Sequence, residues 1–348
     1  SGLALFGLLF NLYLIRLGYR EDFIGQLSGL FPLTSGILAV PTGILSDRID
    51  RKPFLYATAV ILGITQLALC LTTSSTWLLV ACALGGSAGA FLFVNFVPFL
   101  AENAARERRG QAISIWMSIQ VLTRMIVSLG GGLLPDLMAY LTGATTEMPE
   151  PFRYALILGA ACSFLAIIPL MGIGATPSRI ESADEGPANQ PVPWKYLLTF
   201  TTISGFRGLS MGLSYPFFNI FFESELHTST ATIGVIFFLS QVLGFPSTLT
   251  SPIIARRFGH RQVVVSLRVI GGLTLAALGL FLDLPVVVAI FLLTSITEAI
   301  TTPTEMTFAT NTVPREYWGR LQSFRVMGFQ IPSGFASFWA GNLVVRYG

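Results

Sequence analysis

The sequence predicts an all-α protein that crosses a membrane many times, and three observations carry that prediction. Its 348 residues are 53% hydrophobic and only 11% charged, with a mean hydropathy of +0.69, more apolar surface than one soluble core hides. Apolar runs of about 20 residues, enough to cross a hydrocarbon core of roughly 30 Å, recur from end to end. The alternating segments of ~10 residues that mark a membrane β-barrel do not occur.

Apolar runs read against polar punctuation give eleven spans, near residues 1–17, 23–46, 53–73, 77–101, 111–135, 153–175, 196–222, 231–255, 262–282, 285–310 and 320–345. The first opens at Ser1 with no charged leader, so the N-terminus is expected to be truncated. Short loops on one side carry thirteen Lys and Arg (Arg48, Arg51, Lys52, Arg106, Arg108, Arg109, Arg179, Lys195, Arg256, Arg257, Arg261, Arg315, Arg320); the other side has only Arg20, Arg153 and Arg346. The first side is therefore expected to be cytoplasmic, which suits the inner plasma membrane. Residues 176–195, rich in Pro, Ser and acid, read as a cytoplasmic linker between a bundle at 1–175 and one at 196–348.

Composition also excludes functions. A net charge of +3 without a basic, aromatic-laced tract argues against nucleic acid. Cys70, Cys82 and Cys162 lie singly in apolar runs and read as packing residues. His227 and His260 fall in loops, which leaves no buried histidine for a metal. No H-E-x-x-H, G-x-S-x-G or phosphate loop with its lysine is present, so neither an enzyme nor an ATP-driven pump is expected, and no cofactor.

The two bundles repeat one another. Gly25 plus 209 is Gly234; "GILSDRIDRK" at 43–52 answers "PIIARRFGHR" at 252–261; "RERRGQAIS" at 106–114 answers "REYWGRLQS" at 315–323, all at that offset. Each copy should hold six spans, which places a twelfth beyond Gly348.

The loop after span 2 carries Gly43, Leu45, Ser46, Asp47, Arg48, Arg51 and Lys52, and in this setting it resembles the signature of the major facilitator superfamily of secondary transporters. Asp50 departs from the family's usual glycine, which the second copy keeps as Gly259, while Arg256 stands opposite Asp47. The resemblance implies two six-helix pseudo-symmetric bundles and a cytoplasmic latch in which Asp47 docks near Gly319, with Arg48, Arg51, Arg106 and Arg109 as further members. Physically, an acid at the C-terminal end of span 2 opposes the helix dipole and wants a positive partner; the free N–H groups opening span 11 supply one. The competing reading is a solvated loop that only fixes topology.

Charge at bilayer depth costs ~2.5 to 3.5 kcal/mol on insertion scales, so Arg124, Arg207, Glu298 and Glu305 are functional candidates. Arg207 and Glu298 both fall near the midplane and are expected to face each other; Glu298 and Glu305, seven apart, share a helix face. The resemblance makes spans 1, 4, 7 and 10 cavity helices, adding Asn11, Tyr13, Asn95, Tyr215 and Asn219 to the candidates. Glu298 with Arg207 reads either as a coupling carboxylate or as a permanent structural ion pair. Arg268 is expected to snorkel, and Arg325 either to snorkel or to join the cytoplasmic network.

The expected function is alternating-access transport of a small organic solute, proton-coupled and leaning to efflux by antiport, by a monomer. Uptake symport of a sugar or organic acid is the alternative, and a nontransporting sensor or channel the rival of a different class.

Overall fold

The computed structural model describes residues 2–46, 51–103, 109–165, 167–168, 193–314 and 317–347, and these are helical throughout apart from short connections. In order come α1 (Gly2–Arg16), α2 (Glu21–Ser46), α3 (Arg51–Leu71), α4 (Ser75–Asn103), α5 (Arg109–Thr142) and α6 (Pro149–Phe164). After the linker region follow α7 (Trp194–Ser214), a 3-10 turn (Tyr215–Phe217), α8 (Phe218–Ser224), α9 (Thr230–Phe258), α10 (His260–Leu278), α11 (Leu284–Thr312) and α12 (Trp318–Tyr347). The turn joins α7 and α8 into one broken helix, so each of the eleven expected spans has a helical counterpart. Seven helices among the described residues are long and apolar enough to cross a membrane.

Two boundaries differ from expectation. Helix α5 runs on to Thr142, past Pro135 and Asp136, which read as punctuation; in a transmembrane helix the hydrogen bond lost at proline is tolerated. Helix α7 begins at Trp194, which takes the last two residues of the expected linker into the helix; residues 169–192 lie outside the described set. At the repeat position of Asp50, Gly259 has φ +85° and turns α9 directly into α10, a conformation glycine adopts without strain.

The break in span 7 has a local cause. Pro216 cannot donate to the Gly212 carbonyl four residues back, and Ser337 Oγ of α12 donates to that oxygen at 2.9 Å instead. The freed backbone acceptor is thereby satisfied from a neighbouring helix, as membrane burial requires.

The helices pack as α1 with α5 and α6, α3 with α4 and α6, and α2 with α4; after the linker, α7 packs on α12, and α11 on α9 and α10. These groups are joined chiefly by α2 with α12 and α5 with α9, and also by α1 with the 3-10 turn and α8. Below, "outer end" denotes the end away from the arginine-rich loops.

At the outer end both pairs are built from glycine in the same way. A Cβ on Gly25 would lie 2.7 Å from the Ser337 carbonyl and 2.8 Å from Gly341 Cα; a Cβ on Gly132 would lie 2.9 Å from both Gly234 Cα and the Thr230 carbonyl. The 209-residue offset carries Gly25 to Gly234, Gly132 to Gly341 and Ser128 to Ser337, and Gly234 does abut the Ser128 carbonyl. One contact thus occurs twice, related by the sequence repeat. Each position admits no side chain because what it would strike is backbone.

Gly132→Val is expected to destabilise by about 1–3 kcal/mol through overpacking, a loss of several degrees in thermal midpoint. Gly130→Val, whose Cβ would meet nothing within 4 Å, serves as the control and should leave the midpoint within a degree. Equal losses at the two positions would show that this contact does not limit the approach of α5 and α9.

Candidate transport site

The ionisable residues of the second half gather into one network. Arg207 Nε on α7 donates to Glu298 Oε1 at 2.7 Å, and its Nη2 to Thr302 Oγ1 at 3.0 Å. Arg268 on α10 bridges both acids of α11, with Nη1 2.5 Å from Glu298 Oε2 and Nη2 2.8 Å from Glu305 Oε2. Arg325 on α12 completes the set, with Nη2 2.8 Å from Glu305 Oε1. Four helices therefore meet through three guanidiniums and two carboxylates. Arg207 also lies over the Phe329 ring at 5.3 Å, a favourable seat for a cation.

The two acids are not equivalent. The Glu305 side chain is 1% exposed and held between two arginines, whereas that of Glu298 is 23% exposed and that of Arg207 22%. Glu305 has the surroundings of a structural counter-ion; Glu298 is within reach of solvent and of whatever enters beside α7.

Arg268 corrects the expectation that it snorkels: it turns inward to the carboxylates. Sequence heights held the signal. Arg268 stands eight residues from the start of α10, Arg325 seven from the start of α12, and Glu305 seven from the end of α11, which puts all three within about 12 Å of the same end at 1.5 Å per residue. The repeat marks the same place. The offset of 209 carries Phe96 to Glu305 and Trp116 to Arg325, and Phe96 and Trp116 pack with ring centroids 5.1 Å apart and planes tilted by 34° in the first half, where the second half has an ion pair.

A second polar cluster, not anticipated from sequence, closes the outer end across the two halves. Arg16 Nη2 of α1 pairs with Glu223 Oε1 of α8 at 2.7 Å, while its Nε donates to the Thr146 carbonyl at 3.0 Å. One turn deeper, Asn11 Nδ2 donates to the Pro216 carbonyl at 2.5 Å, and Asn219 Nδ2 returns a bond to the Leu8 carbonyl at 2.8 Å. Asn11 and Asn219, expected to line a cavity, thus clamp α1 to the break in span 7. A pocket of about 330 Å³ opens above them, lined in part by Arg16, Asp136, Glu147, Glu223 and His227.

Other candidates fall elsewhere. Tyr13 is fully buried in the first bundle, where its hydroxyl donates to the Cys70 carbonyl and accepts from Arg153 Nε, both at 3.1 Å; this corrects its assignment to a cavity wall. Asn95 is also enclosed, 1% exposed, with neither side-chain polar atom hydrogen-bonded among the described residues. Tyr215 and Arg124 are both exposed. Of the expected latch, Asp47, Arg48 and Arg106 lie outside the described residues, as do the side chains of Arg51, Lys52 and Arg109 and the surroundings of Gly319. Gly43 is placed: a Cβ on it would come 3.9 Å from Ser323 Oγ of α12.

Helices long and apolar enough to cross a membrane, related by an internal repeat and joined by a network of ion pairs, define a polytopic membrane protein. A family model described as Major Facilitator Superfamily matches residues 1–340, and the chain belongs to that superfamily. It is accordingly an integral multi-pass membrane protein and a secondary transporter. Its fold is similar to that of the nucleoside transporter NupG, with a TM-score of 0.73 at 17% identity over 100% of this chain and 89% of that one. It is also similar to a bacterial homolog to the human lysosomal transporter Spinster, inward-facing and unoccupied, with a TM-score of 0.78 at 14% identity over 99% and 79% of the two chains. A bacterial homologue of the iron transporter ferroportin in the inward-facing state gives 0.70 at 16% identity over 98% and 88%. No curated protein matches the sequence.

Removing one partner of a buried pair strands the other charge, at a cost of about 3–5 kcal/mol. Glu305→Gln is therefore expected to lower the thermal midpoint well beyond the effect of Glu298→Gln, whose partner Arg207 is partly hydrated. A larger loss for Glu298→Gln would reverse this ranking of the two carboxylates.

Proposed function

We propose that the chain moves a small organic solute by alternating access, as a proton-coupled carrier and a monomer of the inner plasma membrane, with Glu298 as the exchangeable carboxylate. Residues 1–175 and the helices from Trp194 onward are the two moving halves, and the segment between them is the cytoplasmic linker. The observation that carries this reading is the placement of Glu298 halfway along α11, partly exposed and shared between Arg207 and Arg268. A proton taken up by Glu298 removes one negative charge from the network. Arg268 keeps Glu305, while Arg207 is left with Thr302 and the face of Phe329. Protonation would thus change the charge that the site presents without dismantling its scaffold.

The outer contacts supply a seal for the cycle. Arg16 with Glu223, and the reciprocal bonds of Asn11 and Asn219, all cross between the halves, so they must break for the outer end to open. Asp47 and its basic neighbours would form the corresponding latch at the cytoplasmic end.

Efflux by antiport is the first assignment of direction, resting on the membrane carboxylates and on the aromatic residues around Tyr215. Proton symport of an organic acid is the second, favoured by Arg124, which has no acidic partner among the described residues.

In proteoliposomes, an imposed pH gradient is expected to drive solute exchange by the wild type, and Glu298→Gln to abolish the response to the gradient while leaving solute counterflow. Undiminished gradient-driven flux in Glu298→Gln would remove Glu298 from the coupling role.

A further inference from the structure

A cavity of about 380 Å³ lies where the ends of α9 and α11 meet the start of α10, apart from the ion-pair network. Two basic groups line it, Arg256 from the last turn of α9 and His260 from the first turn of α10, together with Thr304 and Thr307 of α11. None of the described residues that line it is acidic. The end of α10 that it adjoins is open to an anion. No side chain caps that end and its first turn holds no acid, so its leading N–H groups and positive dipole end are left to a ligand or water.

A buried hydroxyl points the same way. Ser251 is 1% exposed and lines the cavity, yet its side chain has no hydrogen-bond partner among the described residues. Its neighbours behave otherwise: the hydroxyls of Ser247, Thr248 and Thr250 turn back to carbonyls of their own helix, and on α11 so do those of Thr304 and Thr307. Buried hydroxyls are ordinarily hydrogen-bonded. The 209-residue offset carries Thr42 to Ser251, Asn95 to Thr304 and Asp47 to Arg256. At the first two places the second copy has the smaller side chain, and at the third it exchanges an acid for a base. One turn deeper, Pro303 frees the Ala299 carbonyl, which accepts from Thr248 Oγ1 at 3.3 Å and fastens α9 to α11.

We propose that this cavity binds a phosphate group, at a site separate from the network that joins α7, α10, α11 and α12. Arg256 and the start of α10 supply charge-assisted donors to phosphate oxygens, His260 adds an imidazole donor, and Ser251 Oγ donates from within the cavity. The rest of the lining, Pro252, Ala255 and Pro303, is apolar. Ser251 stands seven residues from the end of α9 and Thr304 eight from the end of α11, about 10–12 Å from the arginine-rich end at 1.5 Å per residue. A cavity reaching from that end to this depth crosses the zone in which a phospholipid carries its phosphate. Soluble phosphate offers the same oxygens, and the two sources are separated by the arms of the test.

The test uses purified protein in a phosphate-free detergent, with dihexanoylphosphatidylglycerol and sodium phosphate as probes against sodium chloride at equal ionic strength. At least one probe is expected to raise the thermal midpoint saturably. A shift with the lipid alone assigns the site to a headgroup, a shift with phosphate alone to a soluble anion, and a shift with both shows that the phosphate group suffices. Arg256→Gln should weaken the binding at least tenfold and Ser251→Ala severalfold. Arg257→Gln, whose guanidinium lies over the Phe258 ring at 5.5 Å and does not line the cavity, should leave the affinity within twofold. The absence of a saturable shift with either probe would overturn the proposal. Equal losses in Arg256→Gln and Arg257→Gln would do the same, since they report overall charge and not a site. Should Arg256→Gln not fold, wild-type affinity in both Arg256→Lys and Ser251→Ala is the refuting result.

Discussion

The distance between the halves at the outer end is set by backbone meeting backbone. Gly25 against Gly341 and Gly132 against Gly234 are one contact made twice, exchanged by the same 209-residue offset that relates the two copies of the sequence. Small residues at such places let helices approach closely where lipid gives no hydrophobic drive to associate. The polar contacts at that end depend on this closeness. Arg16 reaches Glu223, and Asn11 and Asn219 reach each other's helices, because α1 and α8 are held at hydrogen-bonding range beside the glycine contacts.

Symmetry of the backbone does not extend to chemistry. Phe96 and Trp116 pack as tilted rings in the first half; at the corresponding positions the second half buries Glu305 and Arg325. Replacing a buried ion pair with apolar residues is often neutral or stabilising, and here the aromatic solution exists in the same molecule. Stability alone therefore does not account for the charged version. Its effect is to tie α7, α10, α11 and α12 together through three guanidiniums and two carboxylates. At this place the first half presents an aromatic pair and the second an ion pair.

The fold was legible because a bilayer imposes length. Eleven apolar runs became eleven helical spans, and internal repetition supplied the pairing that hydropathy cannot. The site was legible only where depth along a helix decides contact. Arg207 and Glu298 meet because both fall near the middle of their helices, and Glu298 and Glu305 share a face because seven residues make two turns. Tyr13 was misplaced because α1 is apolar on all sides and offers no stripe to show which face turns inward. Arg268 was misplaced because snorkelling is the usual habit of an arginine near a helix end, a habit that two acids on the next helix override.

The outer clamp was missed for a different reason, which bears on how such carriers should be read. Arg16 and Glu223 look unremarkable in sequence, since charges at span ends are common and topology alone explains them. Their meaning lies in which helices they join. Arg16 also holds the Thr146 carbonyl of the α5–α6 connection, so one guanidinium fastens α1 to its own half while reaching Glu223 in the other. A carrier that alternates must have contacts of this kind, strong enough to seal one end yet replaceable by water when that end opens. Partly exposed ion pairs and amide-to-carbonyl bonds meet both demands, because hydration returns most of what their rupture costs. Interdigitated glycine backbone does not trade with water in that way. The geometry therefore assigns closeness of approach to glycine, and reversible fastening to the polar groups placed beside it.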